Sequence, residues 1–243
     1  MKEKLIVQLY IDSKLVAECD NIHLEECATK TGRRFIFKNL TYDINFEFIY
    51  KMGYRMKVNV HVSFLKKGDN IVFISNFNIL VLDTTEIYPN SWGLYGIIES
   101  EEEYDQDVIN VFDKWQKQEK IDWFSCTTSQ KESYLYACLI YSSLSSNINK
   151  RKKNQIDVSL VKEYRDFLYL ISISFFGERG YIGYNFYTFC DCLLEIYHSQ
   201  KDYFKGCSIE FINSRKIQVE DDKTFFQDLI KELTKYGCSV VLA

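Results

Sequence analysis

The sequence has little that breaks a chain: one proline and ten glycines in 243 residues. That scarcity excludes collagen-like and low-complexity architectures and favours regular elements. Basic charge is not in excess either. With 30 Lys plus Arg against 34 Asp plus Glu, the formal net charge is -4, which argues against a general nucleic-acid binder. No run of eighteen uninterrupted apolar residues occurs, so no membrane span is expected. The start, Met1-Lys2-Glu3-Lys4-Leu5-Ile6-Val7-Gln8, lacks the long apolar stretch and small-residue cleavage site of a secretory signal. There is no Cys-x-x-Cys pair, and His23, His61 and His198 are far apart, so neither a metal nor any other cofactor is expected. A phosphate-binding glycine-rich loop and a nucleophile motif are also missing, which argues against an enzyme.

What the chain does contain is apolar and aromatic material. Hydrophobic residues make up 47% and aromatic rings 16%, with 18 Tyr and 18 Phe, ample for a well-filled core. The cysteines (Cys19, Cys27, Cys126, Cys138, Cys190, Cys192, Cys207 and Cys238) sit partly in apolar stretches such as Tyr136-Ala137-Cys138-Leu139-Ile140. They read as buried free thiols in a reducing cytoplasm rather than as four disulfides.

Two halves follow different periodicities. Up to about residue 98, Asn45-Phe46-Glu47-Phe48-Ile49 and Lys57-Val58-Asn59-Val60-His61-Val62 alternate polar with apolar, the period of a half-buried strand. Similar short runs cover Ile6 to Tyr10, Arg34 to Phe37, Ile71 to Ile74 and Ile79 to Leu82. Several such strands in sequence predict an antiparallel sheet, sandwich or open barrel. The acids Glu99, Glu101, Glu102, Glu103, Asp105 and Asp107 read as a helix start, with Ser100 and Glu103 as a capping box, or else as an acidic recognition patch. Val108, Val111, Phe112 and Trp115 follow at helical spacing.

After residue 130 the pattern changes. Tyr134 to Tyr141 is a continuous apolar run, predicted as a strand covered on both faces. The polar stretch Ser142 to Gln155, with Lys150-Arg151-Lys152-Lys153, reads as a solvated loop; nuclear targeting and RNA contact are the sharper readings of the same charges. Two amphipathic helices follow, one through Val161, Tyr164, Leu168, Ile171 and Phe175, the other through Phe186, Phe189, Cys190, Leu193 and Tyr197. Cys207 to Ile212 reads as a strand, Phe226 to Leu233 as a helix ending at Gly237, and Cys238 to Leu242 as a last strand. Strands separated by helices imply parallel pairing and a small three-stranded α/β domain. The fold expected is therefore two domains: a mainly antiparallel β domain over 1–125, of unknown role, and an α/β domain with a three-stranded parallel sheet over 126–243.

Gly180-Tyr181-Ile182-Gly183-Tyr184-Asn185-Phe186-Tyr187-Thr188-Phe189-Cys190-Asp191-Cys192-Leu193 resembles the signature of the barstar family, in which an aromatic, a Gly and an Asn lead into a helix carrying Asp-Cys-Leu. Lys235-Tyr236-Gly237-Cys238 followed by Val240-Val241-Leu242 is similar to the end of the same family. The likeness covers roughly residues 133 to 243, with the basic stretch as an insertion. It implies a barstar-like fold for the second domain and the function of an intracellular ribonuclease inhibitor, an immunity protein for cells that make such toxins.

The resemblance further implies that Tyr181, Gly183, Asn185, Tyr187, Cys190, Asp191 and Glu232 form the partner-binding surface. Asp191 matches the carboxylate that takes the place of substrate phosphate, and Glu232 a second acidic contact on the final helix. The chain departs from the pattern twice: Tyr187 replaces an acid and Cys190 a tryptophan. Each position also has a plain structural reading. Asp191 and Glu232 suit solvated helix faces, and Tyr181 suits a core. The expected partner is a ribonuclease-type toxin, without direct nucleic-acid or membrane contact. An interaction adaptor that binds a partner other than a ribonuclease is the second reading.

Overall fold

The structure, a computed structural model, describes residues 2–26, 32–40, 56–88, 90–99, 104–143, 153–200, 203–217 and 220–243. The chain divides into two compact units, Met1–Ile121 and Asp122–Ala243. The expected Asn45–Ile49 strand and the proposed Ser100–Glu103 cap lie outside the described residues.

In the first unit, alternation builds a seven-stranded antiparallel sheet. Its strands are β1 (Lys4–Ile11), β2 (Lys14–Cys19), β3 (Asn21–Glu26), β4 (Arg33–Lys38), β5 (Lys57–Leu65), β6 (Ile71–Tyr88) and β7 (Ser91–Ile98), in the spatial order β2-β1-β5-β6-β7-β4-β3. Leu5, Val7, Leu9 and Ile11 on β1 and Val58, Val60, Val62 and Phe64 on β5 all point to one buried face. The register sets Leu5 opposite Phe64 and Leu9 opposite Val60, so the period-two pattern fixes the pairing.

The two runs expected within residues 71–82 are one strand. At the β5–β6 pairing the register shifts between Val62 and Ser63, which face Ser75 and Phe73 and leave Ile74 as the extra residue. Ile74 and Ser75 are consequently both buried, and the alternation restarts in the opposite phase. A broken period reads in sequence as a broken strand.

Helix α1 (Gln106–Lys117) supplies the other side of this core. Val108, Ile109, Phe112 and Trp115 are buried along one stripe, and Phe112 lies 5.0 Å from Phe64 between ring centroids. Its cap is Asp105, whose carboxylate accepts the Val108 N–H at 3.1 Å. Two glutamines tie the helix to backbone groups of the sheet. Gln116 accepts the Leu5 N–H on β1 at 2.9 Å and donates to the Asp20 carbonyl, while Gln106 accepts the Leu24 N–H on β3 and donates to the Ile22 carbonyl. The side-chain amides thus satisfy edge groups that a neighbouring strand would otherwise take.

The second unit contains α2 (Thr128–Ser142), β8 (Lys153–Asp157), α3 (Tyr164–Phe176), α4 (Phe186–Ser199), β9 (Ser208–Ile212), α5 (Glu220–Lys235) and β10 (Ser239–Leu242). Its three strands pair in parallel in the order β10-β9-β8. The run Tyr134 to Tyr141 is not the first of them; it lies in α2. A continuous apolar run does not separate a strand from a helix, and here the N-terminus decides. Thr127 accepts the Gln130 N–H at 3.3 Å and Gln130 accepts the Thr127 N–H at 3.1 Å, a reciprocal cap that starts a helix. The helix then buries Lys131, Tyr134, Leu135 and Cys138 and leaves Tyr136 half exposed.

The first strand is instead Lys-Asn-Gln-Ile-Asp, β8, whose first three residues overlap the end of the stretch expected to be a solvated loop. Only Asn154 and Ile156 are buried, because one face of β8 is open and Gln155 there donates to Glu210 on β9. On the covered face Phe211 of β9 meets Phe226 of α5 at 5.0 Å, and Phe226 stacks on Phe167 of α3 at 4.9 Å. Gly237, with φ +94°, takes the left-handed turn that ends α5 and starts β10.

A buried polar cluster binds α2 to α3. Lys131, 3% exposed, donates to Asp166 at 2.8 Å and to Glu163 at 2.9 Å; Asp166 is fully buried. Asp166 also accepts the Trp123 indole N–H at 2.7 Å and the backbone N–H groups of Lys162 and Glu163. Burial works to lower the Lys131 pKa, but the two hydrogen-bonded carboxylates prevail and raise it, so the ammonium form persists. Trp123 stacks on Tyr169 of α3 at 4.3 Å. These contacts tie Trp123 into the second unit.

Candidate functional site

The loop before α4 and the exposed face of that helix carry most of the residues singled out in sequence. The helix start is fixed from both sides. Asn185 accepts the Thr188 N–H at 2.9 Å, and the Thr188 hydroxyl accepts the N–H groups of Asn185 at 3.1 Å and Tyr184 at 2.9 Å. Gly183 has φ +115°, and a Cβ there would lie 2.5 Å from the Phe189 backbone N. Only glycine permits both this conformation and this approach. Asn185 and Gly183 therefore hold α4 in place from within; Gly183 is buried and Asn185 half-buried.

Tyr181 also turns inward. It is 5% exposed, and burial pushes its phenol pKa up. Its place is under the loop, where it supports rather than presents a surface.

Tyr187 and Asp191 point outward. Tyr187 is 79% exposed, in the first turn of α4, and Asp191 follows one turn later on the same face. Asp191 is exposed and has no hydrogen-bond or ion-pair partner among the described residues. Cys190 beside it is half-buried, and burial followed by the Glu232 charge raises its thiol pKa. Glu232 on α5 is already engaged, accepting from Lys235 at 2.9 Å within its own helix, so its charge is partly neutralised locally. The site residues thus separate into internal supports (Tyr181, Gly183, Asn185), an outward pair (Tyr187, Asp191) and a flank (Cys190, Glu232).

Three residues of this surface escaped sequence reasoning. Tyr184 in the turn before α4, Leu194 three residues after Asp191, and Tyr197 near the helix end are between 39% and 45% exposed. Tyr197 was assigned to the buried stripe, yet it faces the α5 side with its ring 5.5 Å from Tyr236, and Cys192 and Ile196 are buried instead. The signal was available. Phe189, Cys192, Leu193 and Ile196 make a tighter apolar stripe, and the aromatics left over fall on the opposite side.

A second feature lies in the first unit, a cavity of about 430 Å³ lined by residues including Lys4, Asp20, Lys38, Asp113 and Lys117. Acids and bases alternate around it, and Lys117 pairs with Asp113 at 2.6 Å. Such a lining favours neither anions nor cations. No group of His, Cys, Asp and Glu suited to a metal ion occurs among the described residues, and none of the described helices is long and apolar enough to cross a membrane.

No protein-family model, no curated protein and no solved structure matches the chain.

Proposed function

We propose that the second unit is an immunity protein that binds a ribonuclease toxin and blocks its active site. The observation that carries this reading is Asp191: an exposed carboxylate with no hydrogen-bond or ion-pair partner among the described residues, on a helix whose start is locked by a reciprocal cap and a tight glycine contact. A ribonuclease must gather Arg, Lys or His around the phosphate it cleaves. A carboxylate held rigidly in that place supplies the opposite charge, accepts bidentate hydrogen bonds and contains no bond to cleave. The exposed aromatics beside it, Tyr184 and Tyr187, supply the apolar contact that anchors interfaces. The barstar resemblance of residues 180–193 supports the same surface and the same partner class.

The test is co-purification with the product of the neighbouring reading frame, followed by RNA-cleavage kinetics with and without this protein. The reading requires tight association and inhibition that competes with RNA. A neighbour that does not bind, or a complex that leaves RNA cleavage unchanged, refutes it.

A further inference from the structure

We infer that the tip of the β5–β6 hairpin, in the first unit, docks on a membrane surface that carries anionic phospholipid. The inference is independent of the ribonuclease reading, which concerns the second unit. Ile71 is 64% and Phe73 60% exposed; among the large apolar side chains of the described residues, only Tyr187 exceeds them. They stand two apart on β6, so both leave the same face of the sheet. The bulge at Ile74 puts them there. Phe77, Ile79 and Val81 are buried, and an unbroken period would bury Phe73 and Ile71 with them. The extra residue reverses the phase, so Val72 takes the inner face opposite Phe64 while Ile71 and Phe73 turn to solvent.

The register extends the patch across three strands. Lys4, Leu65 and Ile71 lie in one row over β1, β5 and β6, and Ile6, Ser63 and Phe73 in the next. The turn that closes the hairpin is tight: the Lys66 N–H donates to the Asn70 carbonyl at 2.8 Å, and the Asp69 N–H donates to the Lys66 carbonyl at 3.2 Å. Lys67, Gly68, Asp69 and Asn70 are exposed beside Ile71, so the apolar side chains stand at an open tip. Charge selects the occupant. Lys2, Lys4, Lys66 and Lys67 belong to this end of the sheet against Glu3 and Asp69, a basic surplus in a chain whose net charge is -4. Apolar side chains flanked by lysines match the layers of a lipid surface, acyl chains beneath anionic phosphates. A fluid surface buries a convex tip without a preformed recess, which a protein partner would have to supply. A contact of this kind needs no spanning segment.

The experiment is co-sedimentation of the full chain with vesicles, one set of phosphatidylcholine alone and one of equal parts phosphatidylcholine and phosphatidylglycerol. The wild-type chain binds the mixed vesicles more tightly than the neutral ones, and added salt weakens that binding. Ile71→Ser combined with Phe73→Ser lowers the apparent partition constant on mixed vesicles by about tenfold or more. Lys67→Glu lowers it by about fivefold and reduces the salt dependence. All three side chains are exposed, and unchanged melting curves check that the variants fold. Failure to bind the mixed vesicles, equal binding to both kinds, or unchanged binding by the double variant overturns the inference. So does a dimer in place of vesicle binding, lost in the double variant, which assigns the patch to a second copy of the chain. Each of these results leaves the ribonuclease reading standing.

Discussion

Two carboxylates of the second unit show how surroundings decide a residue's use. Asp191 lies open to solvent with no hydrogen-bond or ion-pair partner among the described residues, whereas Asp166 is fully buried and accepts from Lys131, Trp123 and two backbone N–H groups. Asp166→Asn leaves the buried Lys131 ammonium with Glu163 as its remaining carboxylate partner among the described residues. It is expected to cost about 1–3 kcal/mol, read as a lowered urea midpoint. Lys131→Met combined with Asp166→Leu should cost less than the two single changes summed, because the pair is coupled. Equal additivity would show that the cluster is not one network. No alteration of stability beyond about 0.5 kcal/mol is expected for Asp191→Ala, since the side chain is exposed and makes no hydrogen bond or ion pair among the described residues.

At the scale of elements, the turn from Gly180 into α4 is the most constrained backbone in the proposed site. Gly183→Ala combines a positive φ with a Cβ that would sit 2.5 Å from the Phe189 N. The expected loss is about 1–3 kcal/mol in stability, together with weakened partner binding, because the start of α4 must shift. Thermal melts and titration calorimetry check both parts; a variant with full stability and affinity would mean that the loop does not position the helix. The elements differ in how much their sequence disclosed. β1, β5 and α1 were legible because each has one buried face and an unbroken period. β6 was read as two strands because a bulge at Ile74 reverses its phase. β8 passed for a loop because an edge strand with one face open needs only Ile156 as an apolar residue. α2 passed for a strand because its apolar run outweighed the Thr127–Gln130 cap that identifies a helix.

For the molecule as a whole, the two units share one chemical trait: thiols buried as small hydrophobes. Burial pushes Cys19 in the first unit, and Cys192 and Cys238 in the second, from the ordinary value of 9.0 up to about 12. Because the folded state holds these protons more tightly, the stability involved is fully present below about pH 9 and declines as pH rises from 9 towards 12. Urea midpoints measured between pH 8 and 11 should fall. Cys192→Ala should reduce the slope by up to about 1.4 kcal/mol per pH unit. A slope identical to that of the wild type would contradict the burial argument. At this scale the sequence disclosed the change from antiparallel strands to a three-stranded parallel sheet, which the structure contains. Trp123 belongs with the second unit through its hydrogen bond to Asp166. Of the candidate surface, Asp191 and Tyr187 were legible from a motif. The inward turn of Tyr181 was one of its two sequence readings, whereas the pairing of Glu232 with Lys235 was not legible, since it depends on a contact made after folding.

The central claim is that Asp191 occupies the phosphate site of a ribonuclease. It is tested most directly by the inhibition constant for RNA cleavage by the co-purified enzyme, measured for the wild-type chain and for Asp191→Ala at low and high salt. The account predicts inhibition that weakens with salt for the wild type and a loss of about 100-fold or more for the variant, with the salt dependence reduced. An Asp191→Ala chain that inhibits as well as the wild type at both salt concentrations would contradict it.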